Sequence, residues 1–142
     1  MQSFSTIITL SILFALTVLM SPSAQAQTFN VLYNFTGGNN GAAPHAGLTM
    51  DKAGNLYGAT YHGGGAGYGT VYRLKHKGLS WTLNPLYSFT GGSDGALPTA
   101  PVVFGRDGAL YRTTSYGGTL GKGTLFKLRP PPTACKLSLI HI

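Results

Sequence analysis

Gly54-Asn55-Leu56-Tyr57-Gly58-Ala59-Thr60, with Gly63-Gly64-Gly65-Ala66-Gly67-Tyr68-Gly69-Thr70 behind it, returns later in the chain. It comes back as Gly108-Ala109-Leu110-Tyr111-Arg112-Thr113-Thr114, followed by Gly117-Gly118-Thr119-Leu120-Gly121-Lys122-Gly123-Thr124. The step is 54 residues with no gap. Leu32-Tyr33-Asn34-Phe35-Thr36-Gly37-Gly38 keeps the same step and returns as Leu86-Tyr87-Ser88-Phe89-Thr90-Gly91-Gly92. Self-similarity at a fixed period marks a repeat architecture, in which one unit cannot bury its apolar surface alone.

Around these landmarks the strands read as short and closely spaced. Phe29 to Phe35 alternates apolar and polar residues as a strand does, and Thr36 to Gly41 breaks it. Gly47 to Met50 and Leu56 to Tyr61 read as strands joined by a hairpin at Asp51-Lys52-Ala53-Gly54-Asn55. There an Asp side chain can accept from its own backbone two residues on, and Gly54 supplies positive φ. Thr70 to Leu74 is a third strand, Lys75 to Ser80 a polar connection, and Trp81 to Phe89 a fourth strand. Pro85 marks that fourth strand as an edge or a bulge. The second unit predicts strands at about Ala100 to Phe104, Ala109 to Ser115 and Thr124 to Leu128, after which Pro130-Pro131-Pro132 stops the pattern. Four strands per unit, strung in a line, is a β-propeller layout. The expectation is an all-β, β-propeller-like array of about two blade units, of four and three strands, over residues 27–129. Phe29 to Phe35 would belong to a preceding or closing blade. Two units leave two apolar faces open, so further repeats or self-association are expected, the chain being a truncated member of a longer array.

Bulk properties bound the rest. Only 9% of the 142 residues are charged, 21 are glycine, and 10 Lys+Arg face 3 Asp+Glu for a net charge of +7. A basic balance can mean an anionic partner, but only Lys75-His76-Lys77 clusters and no nucleic-acid motif is present, so no nucleic acid is expected. The apolar run Ile7 to Met20, followed by Ala24-Gln25-Ala26, reads as a signal peptide over residues 1–26, although its first residues carry no Lys or Arg. The run is short for a membrane span, and no transmembrane segment is expected after cleavage. The expected location is secreted, periplasmic or at the cell surface. The one cysteine, Cys135, cannot form an internal disulfide. Residues 130–142 form a non-repeat tail, and Lys136 to Ile142 resembles an artefact of a broken reading frame.

Taken together, Leu-Tyr-x-Phe-Thr-Gly-Gly, Asp94-Gly95-Ala96-Leu97-Pro98, Asp51 to Gly58 and Gly69 to Leu74 resemble the GloVer tandem repeat, also called the Gloeo/Verruco repeat, of exported bacterial proteins. The resemblance spans about Asn30 to Leu128. It implies an exported, propeller-like array, often fixed to the surface by a C-terminal sorting anchor, and brings neither substrate nor catalytic residues. The second unit departs from the pattern: Gly105 stands for Asp51, Ala109 for Asn55 and Arg112 for Gly58. Either that blade is distorted, or Arg112 lies at an open end.

Catalytic readings fail on chemistry. Gly91-Gly92-Ser93-Asp94-Gly95 matches the nucleophile elbow G-x-S-x-G, but that elbow needs a following helix, and Pro98 and Pro101 follow here. Gly121-Lys122-Gly123-Thr124 lacks the first glycine and the Ser/Thr of a phosphate loop. Glycoside hydrolysis generally needs paired carboxylates, whereas Asp51, Asp94 and Asp107 all sit in or beside glycine turns. His45, His62, His76 and His141 lack metal-ligand spacing. No catalytic residue, metal or cofactor is therefore expected.

Most of Tyr57, Tyr61, Tyr68, Tyr87, Tyr111, Tyr116 and Trp81 should be inter-blade core. Tyr61, His62 and Tyr68 flank the glycine-rich loop and are the candidate ligand contacts, since exposed aromatics stack on sugar rings. The expected function is a non-enzymatic exported scaffold presenting loops to an extracellular or envelope ligand such as polysaccharide. The alternatives are a fragment of an extracellular carbohydrate-active propeller enzyme and a structural surface spacer.

Overall fold

In a computed structural model, residues 27–131 are described, and they are all-β apart from one short 3-10 turn, Gly38–Asn40. Residues 1–26, where a signal peptide is expected, and the residues beyond 131 lie outside the described residues. β1 (Thr49–Met50), β2 (Leu56–Thr60), β3 (Thr70–Lys77) and β4 (Ser80–Ser88) form one antiparallel sheet in chain order. β5 (Val103–Phe104), β6 (Leu110–Thr113) and β7 (Leu125–Leu128) form a second. The described residues do not close into a propeller.

Register repeats with sequence. Leu56 opposes Leu74 in the first sheet, and Leu110 opposes Leu128 in the second. Gly58 faces Tyr72, and Arg112 faces Phe126. The hairpin turn forms at Asp51: its carboxylate accepts from the Ala53 and Asn55 backbone N–H groups, both at 2.9 Å, and Gly54 sits at φ 80. Pro85 lies on the edge strand β4 beside a register shift at Val71/Tyr72, which leaves Leu86 as the extra residue. A bulge on an edge strand tolerates the missing proline N–H.

Two strand expectations change. Phe29 to Phe35 is not a strand. Among the described residues no strand pairs with it. Its aromatics pack instead: Phe35 meets the Tyr72 ring edge-on at 5.1 Å, as Phe89 meets Phe126 at 5.3 Å. Lys75 to Ser80 is not a connection either. The ladder continues to Lys77 opposite Ser80 and closes on Gly78-Leu79, with Gly78 at φ 61. Glycine at the first central position suits a two-residue hairpin turn. The polar run reads as loop, yet its alternation is that of a strand with one cationic face.

The core lies between the sheets. Tyr57, Val71, Leu86 and Phe89 of the first repeat meet Val102, Phe104, Leu110, Phe126 and Leu128 of the second. The Tyr57 and Phe104 rings touch edge-on at 5.0 Å, and Thr49 Oγ1 donates to the Val102 carbonyl at 2.5 Å. A second cluster, Leu56, Tyr72 and Leu74 with Tyr33, Phe35, Trp81 and Leu83, covers the other face of the first sheet. The expectation that most of the aromatic set is core is wrong. Tyr57 is buried, but Tyr68, Tyr87 and Tyr116 are exposed and Tyr61, Tyr111 and Trp81 half-buried. Tyr87 and Tyr111 point their hydroxyls at turn aspartates instead of into the core. Tyr72, which was outside that set, is buried.

Comparison of equivalent positions locates the uncovered surfaces. Val71 is 0% exposed, but Leu125, one period later, is 75% exposed. Val102 is 0% exposed, but Leu48, one period earlier, is 51% exposed. Each sheet therefore uses one face in the central contact and leaves the opposite face partly open.

A hydroxyl clamp ties each repeat's loop end to its sheet. The Thr60 and Thr70 hydroxyls pair at 2.8 Å, and Thr60 Oγ1 also accepts from the Thr70 backbone N–H at 3.1 Å. Thr114 and Thr124 repeat both bonds at 2.9 Å. Gly41 and Gly95 cross over these pairs so closely that a Cβ at Gly41 would stand 2.2 Å from Thr60 Oγ1. Gly41→Ala should cost about 1–3 kcal/mol for its glycine-only backbone, at φ 84 and ψ 166, plus about 1–3 kcal/mol for overpacking. Gly54→Ala, with the same sign of φ and open space around it, should cost only the first part. Urea unfolding of the two variants checks this, and equal losses would remove the clamp from the account.

Candidate functional site

The loops that follow β2 and β6 and those that precede β1 and β5 are laced together at one end of each sheet. Ala42 pairs with His62, and Ala96 with Tyr116. Gly64 donates its N–H to the Gly38 carbonyl at 2.7 Å, and Gly118 to Gly92 at 2.8 Å. Gly69 donates to Gly63 at 2.8 Å, and Gly123 to Gly117 at 2.9 Å. These loop N–H groups are spent within the loops, so they make no phosphate cradle. Ala43 and Leu97, also one period apart, both adopt positive φ, 54 and 53. Hydrogen bonds hold both: Tyr61 N–H donates to the Ala43 carbonyl at 3.0 Å, and Leu97 N–H to the Tyr68 carbonyl at 3.0 Å.

On this repeated backbone the first repeat carries side chains of its own. The His45 and Tyr61 rings meet edge-on at 5.6 Å, and Tyr61 meets His62 edge-on at 4.6 Å. One period later these positions hold Thr99, Ser115 and Tyr116. The structure thus brings together Tyr61, His62 and also His45, which the sequence marks only as lying outside the repeat framework, either as surface variation or as a ligand contact of the first unit. Their shared departure from the repeat was the available clue. Tyr68 lies apart from this trio, half-exposed, with its ring against Gly91. Among the described residues no three of His, Cys, Asp and Glu gather as a metal-binding group.

Each aspartate is held by its own turn and a tyrosine hydroxyl. Tyr57 donates to Asp51 at 3.0 Å, Tyr87 to Asp94 at 3.0 Å, and Tyr111 to Asp107 at 3.1 Å. Burial pushes the Asp51 carboxyl up, but hydrogen bonds from Asn55, Tyr57 and Ala53 outweigh it and leave the group below its usual value. Asp94 is likewise lowered, burial opposing while Thr90 and Tyr87 donate. Lys127 at 2.7 Å, with the Ala109 N–H, holds Asp107 down at about 2. Asp107 sits two positions later in its repeat than Asp51 does, yet reaches the equivalent tyrosine.

Arg112 resolves the question left open above. The second sheet keeps its register, and Arg112 is 4% exposed on the Leu110 face, so it is not at an open end. In the first repeat the Tyr72 hydroxyl lies over Gly58, 2.5 Å from where a Cβ would be. In the second, Phe126 lacks that hydroxyl, and a larger residue fits opposite. The guanidinium gives Nε to the Thr113 carbonyl at 3.3 Å, but Nη1 and Nη2 are buried without partners, and burial pulls its pKa down to about 10.

Two outcomes follow from these charges. Arg112→Met keeps the length and removes the buried charge, and should raise unfolding free energy by about 1–3 kcal/mol in urea titrations. A loss of that size would mean the guanidinium has an acceptor. The lowered aspartates stabilise fully above their unfolded value near pH 4, and the contribution is lost as pH falls through their folded values, about 2 for Asp107. Tm should hold from pH 7 to about 5 and fall between about 4 and 2, and Asp51→Asn should blunt that fall.

The model of a Gloeobacter/Verrucomicrobia repeat matches residues 14–141, nearly the whole chain. No curated protein and no solved structure matches it. With the period written twice and the two sheets built alike upon it, the chain belongs to the Gloeobacter/Verrucomicrobia repeat family.

Proposed function

We propose that this chain is an exported, non-enzymatic repeat scaffold, whose units stack like propeller blades and present end loops to extracellular or envelope glycans. The observation that carries the reading is the His45–Tyr61–His62 ring cluster, which belongs to the first repeat alone and stands on a backbone common to both. Rings exposed on a rigid turn lose little freedom when they stack on a sugar. The engagement of all three aspartates in turns favours a binding role over the carbohydrate-active alternative.

Assembly is part of the same reading. A cavity of about 240 Å³ is lined by Leu32, Tyr33, Phe35, Leu48, Tyr72 and Leu74. Their counterparts one period later include Leu86, Phe89, Val102, Phe126 and Leu128, which are core under Tyr57 and Val71. The open cavity is therefore the socket that a preceding unit would fill, and Tyr111 and Leu125 are the matching knobs on the opposite end. The occupant is a unit of the same kind in a second copy of the chain. Such a head-to-tail contact continues until it closes into a ring or extends.

Glycan-array binding by the full chain tests the first part. Tyr61→Ala and His62→Ala should each weaken a neutral-glycan hit about tenfold or more, and an absence of hits across plant, algal and bacterial polysaccharides favours the spacer. Sedimentation tests the second. Mass should rise with concentration, and Leu48→Asp or Leu125→Asp should return it to the single chain. A stable monomer at all concentrations would end the stacking claim.

A further inference from the structure

We propose that the cationic face of the β3–β4 hairpin is a binding site for an extended anionic polysaccharide, separate from the end-loop cluster and independent of it. Arg73, Lys75 and Lys77 alternate along β3 and so share one face, about 7 Å apart in steps. The register sets a polar side chain beside each: Arg73 opposite Asn84, Lys75 opposite Thr82 and Lys77 opposite Ser80. The first two rungs and Lys77 line a groove of about 580 Å³. The other face of the hairpin is apolar, with Leu74, Leu83 and Trp81 turned to the core.

The comparison between repeats makes this face more than a solvated run of charge. One period later, Arg73 and Lys75 become Lys127 and Arg129. Those two are neutralised by Asp107, at 2.7 Å and 3.6 Å. In the first repeat the aspartate sits two residues earlier, at Asp51, and its carboxylate is taken up by Ala53, Asn55 and Tyr57. Ala53 stands where Asp107 would be. Among the described residues Arg73, Lys75 and Lys77 have no salt-bridge partner, and Arg73 Nε and Nη1 are buried with no hydrogen-bond acceptor. Arg73 is half-buried along the groove while Lys75 and Lys77 are exposed, so an arriving oxyanion meets the two ammonium groups directly and the Arg73 charge adds to their attraction. Carboxylate or sulfate groups meet the cations, and Thr82 and Asn84 serve the sugar hydroxyls. No aromatic ring lines the groove, and Trp81 lies on the other side of the hairpin, which disfavours base stacking and so single-stranded nucleic acid.

Titration of the full chain with heparin, polygalacturonate, dextran and poly(U) at 50 and 300 mM salt tests the assignment. The two anionic polysaccharides should bind, weakening with salt, and dextran should not bind at this face. Lys75→Gln with Lys77→Gln, both exposed positions, should weaken binding roughly tenfold or more, and adding Arg73→Gln roughly a hundredfold. Ala53→Asp, which copies the second repeat's arrangement, should weaken it roughly tenfold with Tm unchanged or higher. Tyr61→Ala should leave it unaltered, which separates this site from the end loops. Equal losses from Arg106→Gln with Lys122→Gln would show diffuse attraction by net charge and overturn the site. Tighter binding of poly(U) than of either polysaccharide at matched salt would overturn the ligand class.

Discussion

Both faces of these sheets are apolar, and that constraint governs the molecule. A sheet with one wet face could stand alone, whereas here Leu56, Tyr72 and Leu74 point one way from the first sheet and Tyr57 and Val71 the other. Each face must therefore be covered by something. The second repeat covers one, and Tyr33 and Phe35 cover part of the other without the hydrogen bonds of a strand. Val71 has both a fourth strand and a second repeat beside it, whereas Leu125 lies on the edge strand β7 with neither among the described residues, and the difference in exposure reflects the two together. The threonine clamps, crossed by glycines too close to accept a methyl group, fix how the loop end meets each sheet, so that one repeat presents the next with the same surface.

Much of this was legible because the same instructions are written twice. The period located β2, β3, β6 and β7, and Asp51 with Gly54 announced their turn. Pro85 announced an edge strand or a bulge, and the structure has both there. The misreadings share a physical cause, which is that residue type was read without its partner. Phe29 to Phe35 has strand alternation but no adjacent chain among the described residues to pair with. Lys75 to Ser80 has loop composition but a strand's alternation, and Trp81 opposite His76 makes it pair. Tyr57 and Tyr111 both donate to a turn aspartate, but only Tyr57 has a following repeat packed over it, and only Tyr57 is buried. Of the site, Tyr61 and His62 were visible as neighbours of a glycine loop, and His45 and His62 as departures from the repeat. That His45 meets Tyr61 was not visible, because nearby Ala43 adopts a left-handed conformation that alanine rarely takes.

The two repeats also show how an array absorbs change. Gly58 with Tyr72 becomes Arg112 with Phe126, and the strands keep their register although a guanidinium replaces a hydrogen atom. The exchange trades volume across a single rung, and the cost appears as unpartnered nitrogen atoms and not as distortion. Asp51 becomes Asp107, two positions along, and the tyrosine hydroxyl keeps an acceptor while the nearby cations change from unpaired to paired. Packing tolerates these exchanges because each is compensated locally, within reach of one or two side chains.

That tolerance bears on where function can reside in such a fold. Positions that repeat, such as Thr60 and Thr114 or Gly41 and Gly95, are fixed by contacts that any copy must make, and their identity carries no information about a ligand. Positions that fail to repeat while the backbone does are released from that duty. His45, Tyr61 and His62 are of this kind, and so is Ala53, whose lack of a carboxylate leaves a row of cations open. In a family built by copying one sheet, the residues that distinguish one copy from the next are the ones free to meet another molecule, and both candidate surfaces of this chain are found by subtracting one repeat from the other.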